Sequence, residues 1–377
     1  MTKLSRLTSI DMLRGFVIAL MALDHTRDFF APTPFDPLDL TLGSAGWYWT
    51  RWITNLCAPT FVLLAGASAF LRGLKGDQAE LSRYLLSRGA MLILLEMTWI
   101  SFSWQFGFNV IILQVIWALG AGMMFLGLLV WLPLPAIALI GAALILPHNL
   151  LDLAPGAKPG ALMMAWHHAG FSPLPGNHGI VFRYPLMPWL GLIAVGYALG
   201  PVFRWEPARR QRFLLWAASG LLLAFVLLRA ANLYGNPKPW LAQGRGWAVD
   251  LMAFMDVEKY PPSLLYLCVT VGLALLLLVA MERIKPVPPL LLFGRTPMFF
   301  YVVHIALIHL LGNVYLTARF GSMDTPRGLP LAYVPSLLVC YVAWVAMLAL
   351  MYWLTRWWCN WRAARPLALA DRSSTSC

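Results

Sequence analysis

The chain has 377 residues, of which 60% are hydrophobic and only 12% charged, with a mean hydropathy of +0.69. A soluble domain carries about a quarter charged residues, so the composition excludes a soluble enzyme and points to an all-α, polytopic membrane bundle. The formal charge of +12 is spread through short loops rather than gathered in a basic domain, which argues against a nucleic-acid partner.

Ten spans are expected in chain order. They are Ile10–Phe30, Trp52–Leu71, Leu85–Ser103, Asn109–Trp131, Leu134–Leu150, Tyr184–Phe203, Phe213–Ala231, Ser263–Met281, Leu290–Leu311 and Leu331–Arg356. With a cytoplasmic N-terminus, the inner segments carry sixteen Lys and Arg and the outer ones eight. That bias follows the positive-inside rule and makes both termini cytoplasmic. Residues 1–365 read as a single transmembrane domain, and 366–377 as a disordered cytoplasmic tail. Lys3 and Arg6 precede an apolar stretch with no small-residue cleavage site, so the first helix is expected to be retained. The five cysteines, Cys57, Cys268, Cys340, Cys359 and Cys377, form no Cys-x-x-Cys pair and suggest neither a disulfide framework nor a zinc site.

The first span, IDMLRGFVIALMALDHTRDFF, is apolar in its middle and charged at both ends. Charges inside a spanning helix are costly and mark candidate functional sites. Arg14 and His25 are eleven residues apart. That spacing is roughly three turns, so both share one face, about 16 Å apart along the axis. Asp11 can pair with Arg14 at i, i+3. Asp24 or Asp28 could orient the His25 ring, while Asp24, Arg27 and Asp28 also fit a plain interfacial cap.

Further candidates follow along the chain. Arg51 and Asn55 lie at the outer mouth of the second span. Glu96 lies in the third span, where a buried carboxylate needs a partner or a proton. Arg295 lies near the cytoplasmic end of the ninth span, and His304 at mid-membrane within it. His148 closes the fifth span at the outer face; His167, His168 and His178 follow in the loop at a spacing that matches no standard metal site, so solvated loop positions are expected for these three and no metal.

These stretches carry a resemblance. RLTSIDMLRGFVIALMALDH resembles the opening of the heparan-alpha-glucosaminide N-acetyltransferase-like family, in its bacterial membrane-protein branch. RWITNLCAPTFVLLAGASAFL, IILQVIWALGAGMMFLGLLVWLP, YPLMPWLGLIAVGYALG, KYPPSLLYL and FGRTPMFFYVVHIALIH are similar to its later blocks, and together they cover most of the chain. The Arg, ten residues, His spacing is also similar to the first-helix motif of acyltransferase family 3. The resemblance implies a membrane acyltransferase that takes an acyl group, acetyl in the first instance, from cytoplasmic acyl-CoA. The acceptor would be a hydroxyl or amino group of a saccharide or glycoconjugate on the far side of a bacterial inner membrane.

On this reading Arg14 and Arg295 hold the donor and His25 acts with Asp24 or Asp28. Asp11, Arg27, Arg51, Asn55, Glu96 and His304 line the substrate or proton path. Membrane lipid is a partner, and a homo-oligomer stays open. The competing reading is a proton-coupled transporter or exporter of a small anionic or sugar-like solute, which the absence of a visible inverted repeat weakens.

Overall fold

The structure, a computed structural model, describes residues 7–153, 156–321, 329 and 332–364. Lys3, Arg6, Arg327, Arg365, Arg372 and the tail 366–377 lie outside these. The chain is mostly helical, and its contacts divide it into two units: Met1–Cys57 with Ala280–Cys377, and Ala58–Val279.

Among the described residues, seven helical segments are long and apolar enough to cross a membrane: Ala45–Gly73, Gln78–Gln105, Leu186–Arg204, Pro207–Ala231, Leu264–Arg283, Pro297–Phe320 and Leu337–Ala364. Each overlaps an expected span, with boundaries moved by several residues. Helix α1 (Thr8–Phe30) stands at the first expected position, but its own charges set it apart from these seven.

The first unit is built around α1. Its residues from Ile10 to Leu23 are buried on nearly every side, and Phe16–Leu23 within them is apolar all round, as expected of a buried helix. Four elements belong with it: α2 (Ala45–Ile53), α13 (Pro288–Arg295), α14 (Pro297–Phe320) and α15 (Leu337–Ala364). The Trp344 indole of α15 donates to the Ala19 carbonyl at 2.8 Å. Leu23, Ala31, Trp47 and Cys340 form a core beside it.

The ninth expected span is not continuous. Thr296 leaves helical geometry with φ −122° and ψ 43°, and Pro297 starts α14. Proline has no N–H to continue a helix and disfavours helical geometry in the residue before it. One turn of α13 faces one turn of α1 in the opposite sense, with Leu290 against Gly15 and Gly294 against Asp11. After the break the sense reverses: His304 meets His25, His309 meets Phe29, and Tyr315 meets Phe30. At eight residues, α13 is too short to span, so a broken pair lies along α1 in place of one helix.

The second unit holds α3 (Cys57–Gly73, from Ala58 on), α4 (Gln78–Leu95), α5 (Ser101–Gln105), α6 (Val115–Leu129) and α7 (Leu134–Ile145). It also contains α8 (Ala161–Trp166), α9 (Leu186–Leu199), α10 (Pro207–Ala231), α11 (Trp247–Met255) and most of α12 (Leu264–Arg283). The fourth expected span was drawn too long. Its first residues form strand β1 (Val110–Leu113), and α6 starts only at Val115.

The stretch read as a long loop folds into β2 (Gly170–Leu174) and β3 (His178–Phe182). Gly176 and Asn177, both at positive φ, turn the chain between them. The sheet order is β1-β3-β2, with β1 parallel and β2 antiparallel to β3.

Candidate functional site

At the N-terminal end of α1, the buried Asp11 carboxylate lies between two arginines. Its Oδ1 is 3.5 Å from Arg14 on the same helix, and its Oδ2 is 3.6 Å from Arg295 at the end of α13. The sequence anticipated the Asp11–Arg14 pair; the contact from Arg295 depends on the break in the ninth span. These three groups bring two guanidiniums and one carboxylate together. These separations exceed the ~2.7–2.9 Å of a strong charge-assisted bond, and each guanidinium carries five N–H donors. Arg14 and Arg295 are partly exposed, at 18% and 29% of their side chains. The cluster therefore has the charge and donor geometry for a phosphate.

Farther along α1, His25 Nδ1 is 2.9 Å from His304 Nε2, and the two rings stack with centroids 5.0 Å apart. His304 is fully buried, and its Nδ1 lies 2.9 Å from the Phe300 carbonyl and 2.8 Å from that of Tyr301. The sequence singled out both histidines without pairing them. His309, five residues beyond His304, went unremarked although it stands in the same apolar run; it is buried and stacks on Phe29 with centroids 4.4 Å apart.

Asp24 and Asp28 bracket Arg27. The guanidinium is 2.8 Å from Asp24 and 2.5 Å from Asp28, and Arg27 is buried. Asp24 Oδ1 also accepts from the Thr54 hydroxyl at 3.0 Å, and Arg51 lies 3.9 Å from it. Arg51 in turn donates to Asn55 Oδ1 at 3.1 Å. Two carboxylates and two guanidiniums thus form a balanced clamp tying the end of α1 to the turn after α2. Thr54 is the member that sequence reasoning missed.

Glu96 belongs to the second unit. It opens a π-helical turn, Glu96–Ile100, and is fully buried. Its Oε1 accepts the Gln114 backbone N–H at 3.0 Å, and the N–H groups of Ile116 and Trp117 also face the carboxylate. A carboxylate at the positive end of α6 is favourable. The Glu96 carbonyl accepts the Ser101 backbone N–H in this wider turn and the Ser101 hydroxyl as well, the latter at 2.7 Å.

The loop histidines divide. His178 is exposed, but His167 is fully buried, against the expectation of a solvated loop position, and His148 beside it is fully buried too. His167 Nε2 is 3.0 Å from Asp152, which also accepts from Asn149 at 2.8 Å. Asn149 in turn accepts the Leu264 N–H at the start of α12, so the cluster closes one end of this unit. Among the described residues, no group of three or more His, Cys, Asp or Glu could hold a metal ion.

His148 lies past the end of α7, and burial, followed by the neighbouring His167, pushes its pKa from 6.5 down to about 4. Burial raises the Asp152 pKa, but hydrogen bonds from His167 and Asn149 outweigh it and hold the carboxyl below its ordinary range. Between those two His148 values the unfolded chain binds a proton that the folded chain does not. Stability is therefore full above about pH 6.5 and falls as the pH drops toward 4, by about 3 kcal/mol for His148 alone. Asp152 adds to the loss below its ordinary range. Melting temperatures of the detergent-purified protein across pH 4–8 should show this fall. The fall should shrink in His148→Phe, and an unchanged profile in that variant would assign it elsewhere.

A family model, heparan-alpha-glucosaminide N-acetyltransferase, catalytic, matches residues 6–233. The chain belongs to this family. No curated protein matches it. The family implies an acetyltransferase, and with seven spanning-length apolar helices the chain is an integral membrane protein of that type. The matched stretch includes Asp11, Arg14, Asp24, His25, Arg51, Asn55 and Glu96; Arg295 and His304 lie beyond it. The structure therefore pairs groups that the family match carries with groups that it does not reach.

Proposed function

We propose that the protein transfers an acetyl group from cytoplasmic acetyl-CoA to a hydroxyl or amino group of a saccharide or glycoconjugate across a bacterial inner membrane, both termini being cytoplasmic. One observation carries this reading. Helix α1, inside the family match, carries Arg14 near one end and His25 near the other, and the chain beyond the match brings Arg295 to the first and His304 to the second. Acyl-CoA is a polyanion with a thioester at the end of a long arm, and the two ends of α1 suit its two ends.

In this mechanism Arg14 and Arg295 hold the phosphates, with Asp11 fixing both guanidiniums. His25 takes the proton of the acceptor as that acceptor attacks the thioester carbonyl, or it carries the acyl group itself. The C–S bond breaks, and the departing thiolate takes the proton. Asp24, Arg27, Asp28, Arg51 and Asn55 hold the end of α1 where His25 sits. Glu96 remains a candidate for the substrate or proton path.

Acetyl-CoA at about 100 times its Kd should stabilise the detergent-purified protein by about 2.7 kcal/mol, measured as a rise in melting temperature. Arg14→Gln with Arg295→Gln should remove most of that rise. No stabilisation of the wild type at high excess would overturn the reading.

A further inference from the structure

The His25–His304 contact has one neutral solution. A carbonyl oxygen can only accept, so His304 Nδ1, within 2.9 Å of the Phe300 and Tyr301 carbonyls, must carry a hydrogen. His304 is fully buried. An imidazolium in that position would face the ring of a second histidine, at a high desolvation cost. His304 is therefore neutral, and its Nε2 presents a lone pair. His25 Nδ1, 2.9 Å away, must then be the donor.

We propose that His304 is a positioning residue that holds His25 as its Nδ1–H tautomer, so that Nε2 is the reactive nitrogen. The backbone of α14 sets the state of one ring, and that ring sets the state of the next. A carboxylate or backbone carbonyl usually orients a functional histidine; here a second imidazole, itself fixed by backbone carbonyls, takes that place.

The role in acyl transfer rests on the function proposed above, whereas the tautomer does not. Both chemical routes for His25 use the Nε2 lone pair. As a base, Nε2 takes the acceptor proton, the acceptor bonds to the acyl carbon, the C–S bond breaks, and the thiolate removes the proton from Nε2. Between these events the added charge is shared with His304 through the Nδ1–H···Nε2 bond. Two rings this close hold one added proton and not two. The pair returns to neutral at the end of each cycle.

Two measurements test this. The first is 15N NMR of histidine-labelled protein in lipid, with His25 assigned by difference against His25→Gln among the seven histidines. A protonated Nδ1 and a bare Nε2 are expected. The reverse pattern in the wild type would overturn the proposal, whatever the activity. The second is kinetic. His304→Leu should lower kcat about 100-fold while KM for acetyl-CoA moves by no more than about twofold. His304→Gln, whose Oε1 can accept from His25 Nδ1, should recover to within about tenfold of wild type. Full kcat in His304→Leu would also overturn the proposal. A wild-type protein that shows the Nδ1–H tautomer but transfers no acetyl group would sink the acyl-transfer reading and leave the tautomer standing.

Discussion

Replacing His25 with alanine is expected to lower acetyl transfer in proteoliposomes by about 1,000-fold or more, at unchanged expression and nearly unchanged melting temperature. A positioned base contributes about 10²–10⁴ to rate, and a lost nucleophile costs at least as much. The fold should survive, because His25 is only half-buried and the neighbouring clamp of Asp24, Arg27 and Asp28 is untouched. Acetyl-CoA should still stabilise the variant, since Arg14 and Arg295 remain. Full transfer by the variant would remove His25 from the mechanism.

The second large effect is on folding. A Cβ added at Gly294 would lie 1.7 Å from the Asp11 carbonyl oxygen, and one added at Gly15 would lie 1.9 Å from that of Leu290. Both obstacles are backbone, so no rotamer change relieves them; α1 and α13 must separate. Overpacking of this kind costs about 3 kcal/mol or more. Gly294→Ala should therefore lower the melting temperature sharply and pull Arg295 from Asp11, weakening acetyl-CoA binding as well. Gly220→Ala is the control, because a Cβ there meets nothing within 4 Å. Equal melting temperatures for the two variants would mean that the crossing is not as tight as the structure has it.

What could be read in the sequence was what a single helix carries. The polar positions of α1 follow helical spacing, and α1 delivers them as one unbroken element. The partners could not be read, because they come from far along the chain. His304 is 279 residues from His25, and no periodicity links them. Asp24 and Asp28 were natural candidates to orient His25, being next to it and one turn away; the sequence did not show that both also pair with the buried Arg27.

Pro297 lies within an apolar run, and the ninth span, Leu290–Leu311, was drawn straight through the point where the chain reverses along α1. Val110–Leu113 merged with α6 because a short apolar run looks alike in a strand and a buried helix. Its pairing with β3 rests on residues near position 180. His167 was read as a solvated loop position, and only the fold shows that it is enclosed.

The continuity of α1 also makes it a ruler. No proline or π-turn interrupts it between Arg14 and His25. The eleven intervening steps fix about 16 Å of rise and nearly whole turns of rotation. Substitutions within Phe16–Leu23 that keep the volume leave this ruler intact. Inserting or deleting one residue there does not, even if every residue type is preserved. It moves the imidazole by about 1.5 Å and swings it by about 100°, away from His304 and off the face that Arg14 shares. Length, more than composition, is what this segment has to keep.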